Sequence, residues 1–492
     1  MKKKTIAILY YENNFKNCYN FAKQLNNEYN IIFISTAFFD TLTDLDNNKK
    51  KLDKLKIKNY SFKDELLYFY KNINKKNTIN KKYLKNFENK YLKNRKVADL
   101  ISFDYFMNEK NNPREDVLAH KDKRKKFFLA ECLLKKIEKI LKLNDIDIFF
   151  SMFPVNFINN CFFEICQKRK KNFISIFVNR DNTITLTDNF GLNFPSYIKK
   201  QIKNSSLKIN SNIEKYIKKK LLYFEKDSSN LKNLFLGVRN ELCRLLEHFL
   251  NLKKFIDREF NYIKTKKILG VDTKYYYQRG QISLFFIHLR YILRSFFLHF
   301  KIFKNSKKLL KTKKYIYVPL HYFPEAYIYN QKNFDEIKMI NLIAKKIPNN
   351  VYIVIKPHPL FFMSGHEQHK VKYFKKMLEN KNVLLTSPYT GNISLIKNAI
   401  ATITFIGTSA LQSILLGKPA YIMGNCELNY FKNINNFKDF NYDKNLLYTK
   451  IDNEFNYKIL YFLRKNSIKT NHVLKKNELI KLKINLNLIL NK

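Results

Sequence analysis

Short apolar runs alternate with amphipathic segments in the first part of the chain. Thr5–Tyr10 and Ile31–Ser35 have the continuous apolar character of buried strands, and Phe15–Asn26 between them can form a helix. The alternation returns later, where apolar residues recur at helical spacing over Lys126–Leu143 and a strand is predicted at Asp145–Ser151. This order predicts a β-α-β arrangement, and therefore an α/β domain.

The alternation of strands and helices continues with a predicted helix at Phe157–Arg169 and a predicted strand at Phe173–Val178. Two other stretches lack it. Residues 46–95 are rich in Lys and Asn and are typical of solvated helices or an insertion, while residues 196–312 carry long, Lys-rich amphipathic patterns. We expect the second stretch to form a helical insertion or a bridge between two domains.

The second half of the chain alternates more regularly, with short loops between strands and helices. The predicted strands are Tyr315–Leu320, Val351–Ile355, Val383–Leu385, Ala401–Phe405 and Ala420–Met423. The predicted helices are Phe334–Lys346, His369–Glu379, Ile393–Asn398 and Ala410–Leu416. Regular alternation with short connections is the pattern of a parallel, doubly wound sheet, in which a ligand lies beyond the carboxyl ends of the strands.

These patterns divide the chain into four regions. We expect an N-terminal α/β domain at residues 1–195, the helical region at 196–312, a second α/β domain at 313–430 and a C-terminal helical segment at 431–492. The length of 492 residues agrees with several domains, because one hydrophobic core rarely serves more than about 300 residues. The predicted fold class is α/β.

Glycine and proline are scarce in this chain but concentrated in the second α/β domain. Five of the 9 glycines fall within residues 350–424, and seven of the 10 prolines fall within residues 319–419. These residues set sharp turns and let the backbone approach a ligand closely. We therefore expect the functional site in this region.

The composition is that of a folded protein with a large excess of positive charge. Hydrophobic residues make up 45% of the chain and aromatic residues 15%, which excludes a largely disordered chain. Lys and Arg number 92 against 41 Asp and Glu, a formal charge of +51, which attracts nucleic acid, an anionic membrane surface or phosphorylated metabolites. Since Lys and Asn are abundant along the whole chain, we attribute part of this charge to a general residue bias and expect no specific nucleic-acid partner.

Neither a disulfide framework nor a metal site is predicted. The six cysteines form no CxxC pair, which agrees with a reducing compartment such as the cytoplasm. His366 and His369 lie three residues apart but lack the HExxH spacing and a third ligand. The most apolar stretch, Ile282–Phe303, is interrupted by Arg290 and Arg294, so we expect it to lie on a membrane surface at most.

The first candidate site motif is Lys356-Pro357-His358-Pro359, which follows the predicted strand Val351–Ile355. Two prolines fix the backbone on either side of His358. A lysine and an imidazole at a strand end suit an anionic oxygen, either by binding a phosphate or by donating a proton to a leaving group. A histidine in an ordinary turn is the alternative.

The second candidate motif is Gly407-Thr408-Ser409, which lies between the predicted strand Ala401–Phe405 and a helix. Hydroxyl groups and the first backbone N–H groups of a helix favour an anion at this point. The spacing is not that of a Walker loop, because Gly417-Lys418 comes ten residues after Gly407. The alternative is an ordinary helix N-cap.

Two further strand ends contribute candidates. His321 and Glu325 follow the predicted strand Tyr315–Leu320, where Glu325 is expected to hold a ribose hydroxyl or to act in acid–base chemistry, or else to start a turn. Ser387 follows the predicted strand Val383–Leu385. In the first domain, Asp181 lies in the segment after the strand Phe173–Val178, where a base or a surface turn is expected.

Together these motifs resemble the bacterial capsular polysaccharide biosynthesis proteins of the GT-B glycosyltransferase type. The resemblance rests on Pro319–Glu325, Lys356–Pro359, Gly407–Ser409 and Leu416–Pro419, and it covers roughly residues 312–425. In the first half of the chain it extends only to general α/β character. The His-Pro motif and the Ser/Thr pair are also similar to bacterial sialyltransferases and Kdo transferases, in which such residues contact the phosphate of a CMP-linked donor.

The resemblance implies two Rossmann-like domains that face each other across a cleft, with the donor on the second and the acceptor mainly on the first. It implies no metal and no cofactor beyond the nucleotide-sugar co-substrate. His358, Glu325 and Asp181 are the expected catalytic residues, with Glu12 and Asp104 as other candidates for the base. The expected donor-binding residues are His321, Lys356, Pro359, Ser387, Thr408 and Ser409.

The function implied is transfer of a sugar, with a CMP-linked acidic sugar favoured, to a capsular or other surface glycan, free or lipid-linked. A location in the cytoplasm is expected, with peripheral contact to the anionic inner face of the membrane. Two alternatives stay open: transfer of a non-sugar phosphorylated group, and binding of a polyanion or nucleic acid. A nucleotide-sugar epimerase is disfavoured, since no glycine precedes Gly191 and an early GxGxxG cofactor fingerprint is therefore absent.

Overall fold

The chain folds into two units, each built around its own β-sheet. The computed structural model describes residues 3–36, 42–72, 79–103, 123–152, 156–179, 183–188, 194–222, 289, 293, 314–321, 335–358, 371–388, 390–442, 453–469 and 473–490. Among these, the first unit comprises residues up to Gln201 and from Leu463 onward, and the second comprises those from Ile202 to Phe462.

The first unit combines a sheet of seven described strands with helices. Its strands are β1 (Thr5–Tyr10), β2 (Asn30–Ser35), β3 (Lys58–Tyr60), β4 (Ile148–Ser151), β5 (Asn172–Val178), β6 (Thr183–Thr187) and β13 (Ile468–Lys469). Its helices are α1 (Glu12–Leu25), α2 (Leu42–Asp53), α3 (Lys63–Asn72), α4 (Lys81–Tyr91), α5 (Val97–Phe103), α6 (Lys123–Leu143), α7 (Phe157–Arg169), α8 (Ser196–Lys203) and α15 (Lys476–Leu490).

The strand order of the first sheet is β3-β2-β1-β4-β5-β6-β13. The pairs from β3 to β5 are parallel, whereas β6 lies antiparallel to both β5 and β13. Because β1 has β2 on one side and β4 on the other, the strand order reverses direction at β1. This is a Rossmann-like arrangement with an antiparallel edge.

The second unit has a sheet of six described strands. They are β7 (Tyr315–Pro319), β8 (Tyr352–Lys356), β9 (Val383–Leu385), β10 (Ala401–Thr404), β11 (Ala420–Ile422) and β12 (Ile434–Asn436). The helices of this unit are α9 (Ser211–Leu222), α10 (Glu336–Ala344), α11 (Val371–Leu378), α12 (Asn392–Asn398), α13 (Thr408–Leu415) and α14 (Glu454–Lys465), with 3-10 turns at Glu427–Tyr430 and Phe437–Asp439.

The second sheet is parallel throughout, in the order β9-β8-β7-β10-β11-β12. Its first strand, β7, therefore lies between the second strand, β8, and the fourth, β10. The switch point of the topology is the junction of β7 and β10, and ligands of such sheets bind beyond the carboxyl ends of the strands at that point. The fold alone thus directs attention to the residues that follow β7 and β10.

The second sheet is buried on both faces, which explains why its strands are continuous apolar runs. In β8, Ile353 and Ile355 belong to one core cluster and Val354 belongs to another on the opposite face. All three side chains are fully buried. A strand covered by helices on both sides has no solvent face, so its sequence does not alternate with polar residues.

The predicted α/β class is confirmed by the two sheets, and most predicted elements form. Four short strands, β3, β6, β12 and β13, were not predicted. The C-terminal region predicted as one segment, 431–492, contributes to both units, because β12 and α14 as far as Phe462 belong to the second while β13 and α15 belong to the first. The reason is the apolar inner face of α15, which packs on α1 and β6.

Within the described part of the chain, no helix has the length and apolar character required to span a membrane. The apolar stretch Ile282–Phe303 lies outside the described residues except for Leu289 and Leu293. The five described cysteines are free, buried thiols.

The packing of α15 on the first unit leads to a prediction with an internal control. Leu482 is fully buried, whereas Ile484 on the same helix is 54% exposed. Leu482→Ala should lower the free energy of unfolding by about 2–5 kcal/mol, because it leaves a cavity in the core. Ile484→Ala should change it by about 0.5 kcal/mol or less. Urea unfolding followed by circular dichroism measures both, and equal effects of the two substitutions would contradict this packing.

Candidate functional site at the switch point of the second sheet

Two side chains connect the strands at the switch point. His321 follows the end of β7, and Thr404 is the last residue of β10. Their side chains meet, with 2.9 Å between His321 Nε2 and Thr404 Oγ1. The sequence-predicted His321 therefore lies where the topology directs a ligand, and it is bonded to a residue that sequence reasoning did not select.

The hydrogen bonds of His321 determine its tautomer. The backbone N–H groups of Phe405 and Ile406 both donate to Nε2, at 3.2 and 3.3 Å. A backbone N–H group can only donate, so Nε2 must carry a lone pair and the proton of the neutral ring must lie on Nδ1. It follows that Thr404 donates its hydroxyl proton to Nε2, while Thr404 Oγ1 accepts from the N–H group of Gly407 at 3.3 Å.

Glycine at position 407 is required by close packing. A Cβ atom at this position would lie 2.8 Å from Thr404 Oγ1 and 3.1 Å from His321 Cε1. Both distances are shorter than an ordinary van der Waals contact between such atoms. The side chains of Thr404 and His321 thus occupy the space that any larger residue would need.

A buried carboxyl group supports His321 from the other side. Glu336, the first residue of α10, accepts a hydrogen bond from the His321 backbone N–H group at 3.0 Å and another from the Tyr373 hydroxyl at 2.5 Å. Its side chain is almost completely buried. Burial raises the pKa of Glu336 to about 7, since the two hydrogen bonds compensate only part of the lost hydration.

Lys356, the last residue of β8, brings positive charge to the same edge of the sheet. Its Nζ lies 2.6 Å from Oδ1 of Asn392, the first residue of α12, and the Tyr317 hydroxyl donates to the same oxygen at 2.6 Å. Lys356 is only 6% exposed. Register pairs Lys356 with Pro319 of β7, two residues before His321.

His358 follows Lys356 and is uncharged at neutral pH. Burial, with a smaller contribution from the charge of Lys356, lowers the pKa of His358 to about 4. Of these two residues, Lys356 therefore carries the positive charge, and the imidazole of His358 is a neutral hydrogen-bonding group. The expectation that His358 donates a proton needs an anion beside it to raise its pKa.

The remaining described candidates follow two other strands of the same sheet. Thr408 and Ser409 are the first residues of α13, where backbone N–H groups have no acceptor within the helix. Ser409 is buried and Thr408 is half-buried. Ser387 lies after β9 and is also half-buried. The carboxyl edge of the second sheet thus gathers His321, Lys356, Ser387 and the start of α13.

Several candidates predicted from the sequence lie outside the described residues: Glu325, Pro359, Asp181, Asp104, His366 and His369. Glu12 is the first residue of α1, and only Tyr11 separates it from the end of β1. Among the described residues, no group of three or more His, Cys, Asp or Glu is arranged to hold a metal ion.

Sequence reasoning missed five residues that organise the site: Tyr317, Glu336, Tyr373, Asn392 and Thr404. Thr404 is the last residue of the observed strand β10 and lies one residue before the end of the predicted strand Ala401–Phe405, so a search of strand ends for hydroxyl groups comes close to it. Glu336 has the sequence signature of an ordinary acidic residue in the first turn of a helix. Nothing in the sequence distinguishes its role, because its partners His321 and Tyr373 are distant along the chain.

The sequence of residues 291–430 matches the family model described as capsule polysaccharide biosynthesis protein. The matched region is less than a third of the chain, and it contains the motifs at Pro319–Glu325, Lys356–Pro359 and Gly407–Ser409. The resemblance predicted from these motifs is therefore confirmed. No curated protein matches the sequence of the chain.

Similar solved structures include both transferases and an epimerase. KpsC of Thermosulfurimonas dismutans, a beta Kdo 2,7 transferase, shares 11% identity over 67% of this chain and 80% of that chain, with a TM-score of 0.29. A second KpsC structure from this organism, a beta Kdo 2,4 transferase, shares 8% identity over 57% and 70%, with a TM-score of 0.27. The UDP-GlcNAc 2-epimerase of Methanocaldococcus jannaschii shares 12% identity over 99% and 100%, with a TM-score of 0.25. Similarity this low does not distinguish between the two reactions.

The raised pKa of Glu336 predicts how the stability of the protein depends on pH. The raised pKa means that the folded state favours the protonated carboxyl group. The stability that this group contributes is therefore fully present below its usual pKa, near 4.5, and is lost as the pH rises to about 7. Glu336→Gln keeps an oxygen that can accept from the His321 N–H group, and its amide NH2 can donate to the Tyr373 hydroxyl oxygen, but it cannot ionise. The free energy of unfolding of the variant minus that of wild type should therefore be about 3 kcal/mol larger at pH 8 than at pH 5.

Urea unfolding of both proteins at pH 5 and pH 8 measures this difference. Asp335→Asn, at the exposed N-cap of α10, is the matched control for removing one nearby negative charge. A stability difference between Glu336→Gln and wild type that does not change with pH would show that Glu336 ionises normally.

Proposed function

We propose that the protein is a glycosyltransferase that moves a sugar from a nucleotide-activated donor to a capsular or other surface glycan. The observation that carries this proposal is the convergence of Lys356, His321 and Thr404 on three adjacent strand ends at the switch point of the second sheet. The family match over residues 291–430 supports it, because the matched region contains this convergence.

The chemistry of this edge favours a phosphate-bearing donor. Lys356 supplies a cation, and the start of α13 supplies N–H groups and the hydroxyls of Thr408 and Ser409. Ser387 adds a hydroxyl from the end of β9. Within this class, a CMP-linked acidic sugar is the favoured donor, on the similarity of the His-Pro motif and the Ser/Thr pair to those of sialyltransferases and Kdo transferases.

In the proposed reaction, the acceptor hydroxyl attacks the anomeric carbon of the donor sugar, and the bond between that carbon and the phosphate oxygen breaks. The departing phosphate gains negative charge, which Lys356 and the first turn of α13 stabilise. A phosphate beside His358 raises the pKa of the imidazole, so that His358 can hold a proton near the leaving oxygen. With this positive charge supplied by the chain, we propose a reaction without a metal cofactor.

A base must accept the proton of the acceptor hydroxyl. We propose that it comes from the first unit, with Asp181 as the first candidate and Glu12 and Asp104 as others. Glu12 begins α1 directly beyond the end of β1, the strand at which the order of the first sheet reverses. Glu325 is proposed to lie near the nucleotide or the leaving group.

We propose that the acceptor is reached at an anionic membrane surface in the cytoplasm, where lipid-linked glycans lie among negatively charged head groups. The charge excess of +51 supports this partner. The outer face of α15 supports it further, because Ile480, Ile484 and Leu488 are 40%, 54% and 42% exposed at four-residue spacing. Lys476 lies one turn before Ile480 on that face, and a stripe of apolar residues next to lysine suits an anionic bilayer surface.

The proposed donor class predicts that a nucleotide stabilises the protein. Among CMP, UDP, GDP and their common sugar conjugates, a cytidine nucleotide at about 100 times its Kd should raise the thermal unfolding midpoint by about 3 °C. Lys356→Met and His358→Ala should reduce the shift strongly, since each removes a group proposed to face the phosphate. Lys397→Met, at an exposed position near the end of α12, should keep it.

A uridine or guanosine nucleotide that gives the shift instead would change the donor within the same proposal. The absence of any shift in the folded wild-type protein would contradict a nucleotide donor. Binding of a polyanion or of lipid would then become the better account of the charge excess.

The proposed membrane contact predicts binding to vesicles that contain phosphatidylglycerol, and not to vesicles of phosphatidylcholine alone, in cosedimentation at low salt. The double variant Ile480→Ser, Ile484→Ser should lower the bound fraction about tenfold, because it removes apolar surface that enters the bilayer. Leu342→Ser, at a residue of α10 that is 50% exposed, is the matched control and should bind like wild type. Equal loss in both variants would contradict a contact through α15.

A further inference from the structure

We propose that His321 is a positioning residue, which holds the loop between β10 and α13 in the conformation that receives the donor phosphate. His321 acts through the lone pair on Nε2, which accepts hydrogen bonds from the loop. The loop, and not this nitrogen, contacts the donor phosphate. This inference rests on the proposed function, and it assigns His321 a different role from the direct donor contact expected from the sequence.

The Nε2 atom of His321 is already used within the protein. It accepts hydrogen bonds from the N–H groups of Phe405 and Ile406 and from the hydroxyl of Thr404. A nitrogen with three donors directed at its one lone pair has no capacity to donate to a phosphate oxygen. Its contribution to the site therefore passes through the residues that it holds.

The loop between β10 and α13 is held from both sides. Its carbonyl groups accept from the neighbouring segment after β11: Met423 N–H donates to Thr404 O at 3.1 Å, and Gly424 N–H donates to Phe405 O at 2.9 Å. The N–H groups of Phe405 and Ile406 instead donate to His321 Nε2. Phe405 and Ile406 are buried, so without His321 these N–H groups would lose their acceptor at a substantial cost in free energy.

This loop leads directly into the turn proposed to bind the anion. Gly407 is the N-cap of α13, and it packs against both Thr404 and His321 so closely that no Cβ atom fits. A shift of the ring would therefore be transmitted to Gly407 and to the direction of the first N–H groups of α13. Positioning by contact requires this kind of tight, complementary packing.

The position of His321 is in turn fixed by the buried Glu336. The carboxylate accepts from the His321 backbone N–H group and from the Tyr373 hydroxyl, so that β7, α10 and α11 are connected at one point. A continuous chain of hydrogen bonds thus runs from Tyr373 through Glu336 and His321 to the loop. Glu336 thus holds the backbone of His321, and the bonds of Nε2 to Thr404, Phe405 and Ile406 hold its ring.

Two substitutions at position 321 separate the two possible roles. His321→Gln places an amide oxygen near the position of Nε2 and can still accept from the loop N–H groups. His321→Asn is shorter, imitates the Nδ1 side of the ring, and leaves the loop N–H groups without their acceptor. The readouts are hydrogen–deuterium exchange of the backbone amides at 405–407, and the Kd of CMP measured by calorimetry.

If His321 positions the loop, the Gln variant keeps wild-type exchange and a Kd within about threefold of wild type. The Asn variant exchanges at least about tenfold faster at 405–407 and binds CMP at least about tenfold more weakly, as expected when buried N–H groups lose their acceptor. The proposal is overturned if the Gln variant keeps slow exchange but loses CMP binding, because the ring then contacts the nucleotide directly. It is also overturned if the Asn variant exchanges and binds like wild type.

Failure of the proposed function gives a different result. If wild type binds neither CMP nor another nucleotide, while the Asn variant alone exchanges faster at 405–407, the nucleotide donor is wrong and the positioning of the loop by His321 stands. Exchange in the unliganded protein thus tests the positioning role independently of the reaction.

Discussion

The hydrogen bonds between the His321 ring and the end of β10 are the interaction on which the candidate site depends. They cross the junction of β7 and β10, two strands that are adjacent in the sheet but not consecutive in the chain. Buried backbone N–H groups must find acceptors, and the loop after β10 finds one in a side chain from the neighbouring strand end. This requirement therefore positions Gly407 and the start of α13.

Two ionisable side chains are buried around this junction, although burial disfavours their charged forms. Glu336 is enclosed with a pKa of about 7, and Lys356 is almost completely buried beside the amide of Asn392. Such groups destabilise a fold unless they are well hydrogen-bonded, and ionisable groups with shifted pKa values cluster at functional sites. The neutral His358 beside Lys356 follows the same logic, because burial and a neighbouring cation both disfavour its charged form.

The sequence predicted the frame of the second unit well, and the interior of its site poorly. Apolar runs such as Val383–Leu385 coincide with the observed strand, because a strand buried on both faces is apolar throughout. His321, Lys356 and Thr408 were found because each follows or ends a strand in a motif with proline or glycine. Glu336 and Tyr373 were not found, since their role arises from contacts between elements far apart in the chain. The short strands β6 and β13 were missed for the same reason: β13 has two residues, and only its pairing with β6 defines it.

A crystal structure of the protein with bound CMP would decide whether the carboxyl edge of the second sheet binds the phosphate of a nucleotide. We expect the phosphate to lie against the first turn of α13, within hydrogen-bonding reach of Lys356 Nζ, with the His321 ring still bonded to Thr404 and the loop. A phosphate bound at the first sheet, or one held by His321 Nε2 after displacement of the loop N–H groups, would contradict this assignment.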